Sequence, residues 1–402
     1  MSPRRVLAVL AVAELCAMAP WFSASAVAPA LAERWHLDAA GTAWLTVSVQ
    51  LGFVVGALVS AVLTLSDRWS ARRLIAGSAA LAALATVGVA WAAGAGQAVG
   101  LRLLTGAALA GVYPPGMKIV AGWYREGRGL AIGVLVGALT LGSAAPHLVR
   151  WALPADHWRP VLLVAATSAA IGGMLVLLIP HDGPFAAPSP AFSWTAAPRI
   201  FASRAVSLAN LGYLGHMWEL YAMWTWLAAF VAASERARTG LDVSARGVPA
   251  LVTFAVVGCG AVGCWAGGKY ADRWGRTLVT CVAMAVSGTC ALAAGVAFAR
   301  SLPILVPLLL VWGVAVVADS AQFSAAVSEL APRDLVGTAL TVQTSLGFLL
   351  TCCTIFLVPR VAEQVGWRWS MAPLAVGPVG GVWAMLVLRR RPEAFALAGG
   401  RR

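Results

Sequence analysis

Long apolar stretches recur along this chain about a dozen times, and they leave few folds open. A helix needs about twenty apolar residues to cross a hydrocarbon core. The runs fall near 6–31, 41–65, 74–95, 98–122, 130–153, 159–180, 204–233, 247–270, 278–299, 303–327, 334–358 and 368–388. Inside a bilayer every backbone N–H and C=O must bond within its own element, so such runs read as helices. The expected fold is an all-α membrane protein with twelve transmembrane helices. Gly and Ala recur inside the runs, which suits close helix contact in lipid.

Composition decides between water and lipid as solvent. The chain is 60% hydrophobic and 11% charged, against roughly 45–50% and 25% in a soluble domain. Its net charge of +13, from 29 Lys+Arg and 16 Asp+Glu, would point to nucleic acid in a soluble protein. Here the basic residues sit between apolar runs, so they are read as setting orientation, and nucleic acid is not an expected partner. Cys16, Cys259, Cys264, Cys281, Cys290, Cys352 and Cys353 all lie inside apolar runs without metal-ligand spacing to histidine. They read as small core residues, and no metal or cofactor is expected. Arg4 and Arg5 before an apolar run, with Ser23-Ala24-Ser25-Ala26 after it, imitate a signal peptide. Glu14 interrupts that run, which continues to Leu31, so a first transmembrane helix is the better reading.

The longest polar break, 181–203, carries His181, Asp182, Pro184, Pro188, Pro190 and Pro198, a proline density that cannot continue a helix. It divides the chain into a six-helix bundle at 1–180, a central loop at 181–203, a second six-helix bundle at 204–388 and a basic tail at 389–402. With the N-terminus cytoplasmic, the flanking Lys and Arg number 18 on that side against 9, Arg246 among the latter, on the other. Both termini and the central loop are therefore expected in the cytoplasm. The halves repeat: Asp67-Arg68-Trp69 and Asp272-Arg273-Trp274 differ by 272 − 67 = 205, and Gly142 and Gly347 by 347 − 142 = 205.

The stretch Gly268-Lys269-Tyr270-Ala271-Asp272-Arg273-Trp274-Gly275-Arg276 resembles the signature loop of the major facilitator superfamily, with a degraded first-half copy from Leu63 to Arg73. The resemblance implies two six-helix bundles related by a pseudo-two-fold axis. It also implies gating roles for Asp67, Arg68, Asp272, Arg273 and Arg276, with Asp67 facing the start of helix eleven and Asp272 the start of helix five. An aspartate at a helix N-terminus meets a favourable dipole. Three further stretches resemble a bacterial subgroup described as cyanate or nitrate permease-like: Trp21 to Pro29, Tyr113 to Lys118, and His216 to Tyr221. Helices five and eleven lack the asparagines of nitrate porters, and helix five lacks the Gly-Pro pair of drug/proton antiporters. The subgroup implies a bacterial plasma (inner) membrane.

Ionisable groups at mid-membrane cost roughly 2.5–3.5 kcal/mol on insertion scales, so each needs a reason. Glu14 lies in helix one, Arg102 and Lys118 in helix four, His216 and Glu219 in helix seven, and Asp319 with Gln322 in helix ten. These are the first helices of each three-helix repeat, which line the cavity in the resembled family. His216 and Glu219, three apart, are expected to share a face and exchange a proton. Asp319, Gln322, Ala326 and Glu329 form a second stripe. Tyr221, with Trp218, Trp224 and Trp226, suits a binding wall.

The expected function is secondary transport by alternating access, coupled to protons, of a small organic or inorganic anion attracted by Arg102 and Lys118. The alternative is an exporter of amphipathic or cationic compounds. More remote is an intramembrane enzyme or sensor, for which Ser320 beside Asp319 finds no matched base. Expected partners are the solute, protons and the lipid bilayer, with the chain a monomer.

Overall fold

The computed structural model describes residues 1–125, 127–154, 156–186, 192–193, 197–241 and 247–401. Arg246, Pro188 and Pro190 lie outside the described residues. Among those described, every regular element is helical. The first span is built from α1 (Pro3–Met18), α2 (Ser23–Ala26) and α3 (Ala28–Trp35), the second from α4 (Ala39–Val62). A single turn, α5 (Leu65–Arg68), leads to α6 (Ala71–Ala90), the third span. The fourth combines α7 (Ala95–Leu109) with α8 (Tyr113–Trp123). The fifth is α9 (Arg128–Ala152) and the sixth α10 (Trp158–Val176).

After the short α11 (Ala197–Ala202), the seventh span is α12 (Arg204–Thr239), the eighth α13 (Val248–Trp274) and the ninth α14 (Arg276–Ala297). The tenth joins α15 (Leu302–Ala318) to α16 (Ser320–Leu330). The eleventh is α17 (Val336–Val365), and α18 (Val376–Arg389), preceded by two 3-10 turns, completes the twelfth. Ten of the twelve are long and apolar enough to cross a membrane by length and hydropathy alone. The other two are the broken first span and the seventh, a 36-residue helix carrying charged and polar residues.

Three spans that read as unbroken in the sequence are interrupted near their middles. In the first, Pro20 lacks the N–H that would continue α1, and the chain leaves helix between Met18 and Ser23. In the fourth, Pro114 and Pro115 start α8 rather than continue α7, since proline suits a first helical turn. The tenth breaks at Asp319 with no proline at the break. Within each half, backbones touch where glycine allows it. A Cβ on Gly52 would lie 1.9 Å from Leu103 O, and one on Gly313 2.0 Å from Val256 O, so any larger residue there forces the second and fourth, or eighth and tenth, spans apart.

The halves meet along two seams. The fifth and eighth spans pack along their length, with Gly133 against Cys264 O and Thr140 Oγ1 3.8 Å from Cys264 Sγ. The second and eleventh spans pack through Phe53 and Phe348, ring centroids 4.5 Å apart, and through Trp44 and Phe356 at 5.5 Å.

Candidate functional site

The seventh span sorts its side chains into two faces. Asn210, Tyr213, Met217, Tyr221 and Trp224 follow an i, i+3, i+7, i+11, i+14 stripe. Tyr221 is the hub of a ring cluster that ties the halves together: Trp21 stacks on it at 5.7 Å, and Phe348 lies at 5.2 Å, Trp224 at 5.6 Å and Phe22 at 6.2 Å. Trp21 also meets Phe53 at 5.1 Å and Phe348 at 5.6 Å. These six buried rings come from the first, second, seventh and eleventh spans. Of the other tryptophans expected to line a wall, Trp218 donates to Pro373 O at 3.0 Å and Trp226 to Ile355 O at 2.8 Å. They pack inside the second half.

An adjoining face, on which the His216 ring lies 6.2 Å from Tyr213, points into its own half and carries the ionisable groups. His216 Nδ1 stands 2.9 Å from Asp319 Oδ1, both side chains fully buried. No hydrogen bond is formed across this contact, and among the described residues neither Asp319 Oδ1 nor His216 Nε2 has a partner. Glu219 does not serve His216. Its Oε1 accepts from Trp312 Nε1 at 2.6 Å and its Oε2 from Ser287 Oγ at 2.8 Å. Residues three apart differ by about 60° around a helix. That suffices here to give the two side chains different partners: His216 stands against Asp319, not against Glu219 as expected. The break at Asp319 likewise splits the expected stripe on the tenth span. Asp319 turns to His216, whereas Gln322 Oε1 accepts from Arg276 Nη1 at 2.8 Å.

Arg102 and Lys118 are both engaged by protein oxygens. Arg102 is fully buried. It donates from Nε to Leu45 O at 3.1 Å, from Nη1 to Pro20 O at 2.6 Å and to Ser23 Oγ at 3.5 Å, and from Nη2 to Trp21 O. Carbonyls at a helix end lack their i+4 donors, and the guanidinium supplies donors at the break in the first span. Lys118 Nζ bonds Ser66 O at 2.7 Å and pairs with Asp67. Glu14, buried beneath the same break, points at Gly116, and among the described residues neither carboxyl oxygen has a hydrogen-bond partner.

Glu14 and Glu219 occupy the same repeat position, since 219 − 14 = 205, a correspondence the sequence reading missed. The same offset maps Ser287 to Ala82, since 287 − 205 = 82. The fourth and tenth spans are offset by 313 − 106 = 207, as the matching contacts of Gly106 with Val49 and Gly313 with Val256 show, so Trp312 maps to Thr105, whose hydroxyl donates to Leu101 O.

At the face carrying the signature loops, the Asp272 carboxylate lies against Gly129 in the first turn of α9, 2.6 Å from where a Cβ would stand. Arg276 forks onto Glu329 at 2.8 and 2.6 Å. Arg68 and Arg273 are exposed. A cleft of about 710 Å³ opens here between the halves, with Tyr113, Met117 and Ile132 on one wall and Gln322, Ser324 and Glu329 on the other. The segment after the twelfth span folds across it. Ala394 and Leu397 are buried, Ala398 N–H donates to Glu329 Oε2 at 3.1 Å, and Arg401 bonds Asp272 O. Asp319 lies one turn beyond Gln322, so the His216–Asp319 pair sits just past the cleft wall.

A family model described as Major Facilitator Superfamily matches residues 10–353. No curated protein matches the sequence. Among solved structures, the chain resembles a bacterial homologue of the human lysosomal transporter Spinster, at 16% identity and TM-score 0.72, covering 96% of this chain and 97% of that one. It resembles the nucleoside transporter NupG at 15% identity and TM-score 0.71, covering 95% and 99%. The xylose transporter XylE from E. coli, in a partially occluded inward-open conformation, matches at 14% identity and TM-score 0.74, covering 97% and 98%. At these identities the likeness is one of fold.

Proposed function

The chain belongs to the major facilitator superfamily, and on that premise we propose that it is a proton-coupled secondary transporter of a small solute without net negative charge. The observation that carries the coupling is the buried His216–Asp319 contact at the break of the tenth span, one turn from the cleft. An imidazole nitrogen and a carboxylate oxygen 2.9 Å apart give a proton two stations. The two six-helix bundles rock about the ring cluster, and the seams between the halves part on alternate sides. The basic face is read as cytoplasmic, with both termini there, in a bacterial plasma membrane.

The expectation of an anionic solute rested on Arg102 and Lys118. Both are engaged by protein oxygens, so the geometry no longer supports it. The finer likeness to cyanate or nitrate permeases rests on the three stretches alone, and the matching family model reaches only the superfamily.

The test is transport in proteoliposomes with Asp319→Asn and His216→Gln. Each variant should keep solute counterflow and lose accumulation driven by a pH gradient. Full pH-driven accumulation in both variants would remove the coupling assignment.

A further inference from the structure

A groove of about 560 Å³ lies between α13, α14 and α15, and its exposed lining is wholly apolar. Ala266, Tyr270 and Trp274 form one wall, Val282 and Val286 the second, and Val311 belongs to the third. Trp274, Val282 and Val311 are each more than half exposed, so the groove opens on the outside of the bundle. It lies away from the pathway between the halves. Gly268 and Asp272, which meet the first turn of α9, stand two and six residues on from Ala266. At 3.6 residues per turn that places them about 200° and 240° around α13. Tyr270 and Trp274 stand at about 40° and 80°, on the opposite side.

A polar solute needs polar groups to orient it in a site, and this lining offers none. It fits a hydrocarbon chain. Along α14 the lining runs from Leu278 to Val286, about 12 Å at 1.5 Å per residue. One leaflet of a ~30 Å hydrocarbon core is about 15 Å deep. The groove therefore covers most of one leaflet, starting from the face where α13 ends and α14 begins.

At that face the groove meets charge. Tyr270 and Trp274 stack with ring centroids 4.5 Å apart, and such rings settle at the membrane–water interface. Lys269 Nζ stands 4.9 Å from the Trp265 ring centroid and 5.9 Å from that of Tyr270, so a groove-lining ring holds the ammonium at the mouth. Arg273, one turn on, is exposed at the same end. The neighbouring charges are turned elsewhere, Asp272 to Gly129 and Arg276 onto Glu329. By the offset of the signature loops, Lys269 and Tyr270 correspond to Thr64 and Leu65, since 269 − 205 = 64 and 270 − 205 = 65. The cation over a ring thus belongs to the second half alone, whereas Arg273 has its counterpart in Arg68. Basic pockets between helices on the cytoplasmic side of a membrane hold anionic headgroups.

We propose that this groove binds one anionic phospholipid, with an acyl chain along α14 between α13 and α15 and the phosphodiester held by Lys269 and Arg273. A free phosphate would leave the apolar groove empty. A zwitterionic headgroup would bring a cation of its own against the two already there. The site is independent of which solute the protein carries.

The experiment is melting of the purified, delipidated full chain in detergent, with phosphatidylglycerol, phosphatidylcholine and inorganic phosphate as separate probes, alongside intact-mass spectrometry of the complex. A ligand raises the melting temperature of the state that binds it. Phosphatidylglycerol should stabilise most and stay bound at one molecule per chain. Lys269→Gln and Arg273→Gln should each weaken its binding about fivefold and leave the effect of phosphatidylcholine unchanged. Val282→Trp fills the groove without altering charge, and it should weaken phosphatidylglycerol binding too. All three positions are exposed, so the variants keep the parent's fold.

Equal stabilisation by the two lipids would mean general solvation by lipid and overturns the proposal. So does a full preference for phosphatidylglycerol in both glutamine variants, or full affinity in Val282→Trp. Equal stabilisation by inorganic phosphate would leave an anion site without a chain and also overturns it. A dimer in lipid-free detergent that Val282→Trp disperses would give the groove to a second copy of the chain, and the lipid assignment would fall.

Discussion

Arg102 separates two physical roles that the sequence could not tell apart: an anion receptor and a clamp on a broken helix. The perturbation is a pair of substitutions, Arg102→Met and Arg102→Lys. Met fills much of the volume and removes both charge and donors. Lys keeps the charge and loses the planar fork. Among the described residues Trp21 O accepts a hydrogen bond from Arg102 alone, whereas Pro20 O also accepts from Ser23. Removing the guanidinium therefore strands one buried carbonyl, at about 1–3 kcal/mol.

For a chain of this size that is a fall in melting temperature of about 1–4 °C. The Lys variant should fall at least as far, since a buried ammonium cannot reach carbonyls on both the first and second spans and stays partly unpaired. Intrinsic fluorescence melting in detergent reads this directly, with 18 tryptophans as reporters. An anion receptor predicts the reverse order: Lys tolerated, and Met losing stabilisation by monocarboxylates. That outcome would refute the clamp.

Two further predictions concern contacts the sequence did not announce. Glu219 accepts from both Trp312 and Ser287, so Glu219→Gln sets an amide N–H against one of those donors and should cost about 1–3 kcal/mol in detergent melting. A variant that melts like the parent but loses pH-driven accumulation would move the coupling role to Glu219. Deleting residues 392–402 removes the Ala398 and Arg401 bonds and the buried Ala394 and Leu397. Maleimide labelling of Ser324→Cys in the cleft should then speed up several-fold over the background of the chain's own cysteines, and an unchanged rate would mean the segment does not cover the cleft.

What the sequence could and could not reveal follows from how each kind of information is carried. Span count and helical class were legible because hydrocarbon thickness fixes a length that every span must meet. The position of Asp272 against the first turn of α9 was anticipated only through the family resemblance, since spacing along one helix says nothing about which other helix it meets. Charge was the most visible site signal, and spacing alone did not say which charges the protein would engage itself. A buried ion needs partners, and in Arg102, Lys118 and Glu219 the protein supplies them itself.

The better signal was quieter. The stripe from Asn210 through Tyr213, Met217 and Tyr221 to Trp224 obeys the helical period as strictly as the charged positions do, but it mixes polar, aromatic and aliphatic residues, so no single residue type marks it. The offset of 205 could have shown more than it did. It places Glu14 at the position of Glu219 and Ala82 at that of Ser287, and the offset of 207 between the fourth and tenth spans places Thr105 at that of Trp312. One carboxyl is therefore held by donors that its twin lacks. The two carboxyls thus differ in their partners, and that difference becomes readable once the contacts of one half are known and projected onto the other.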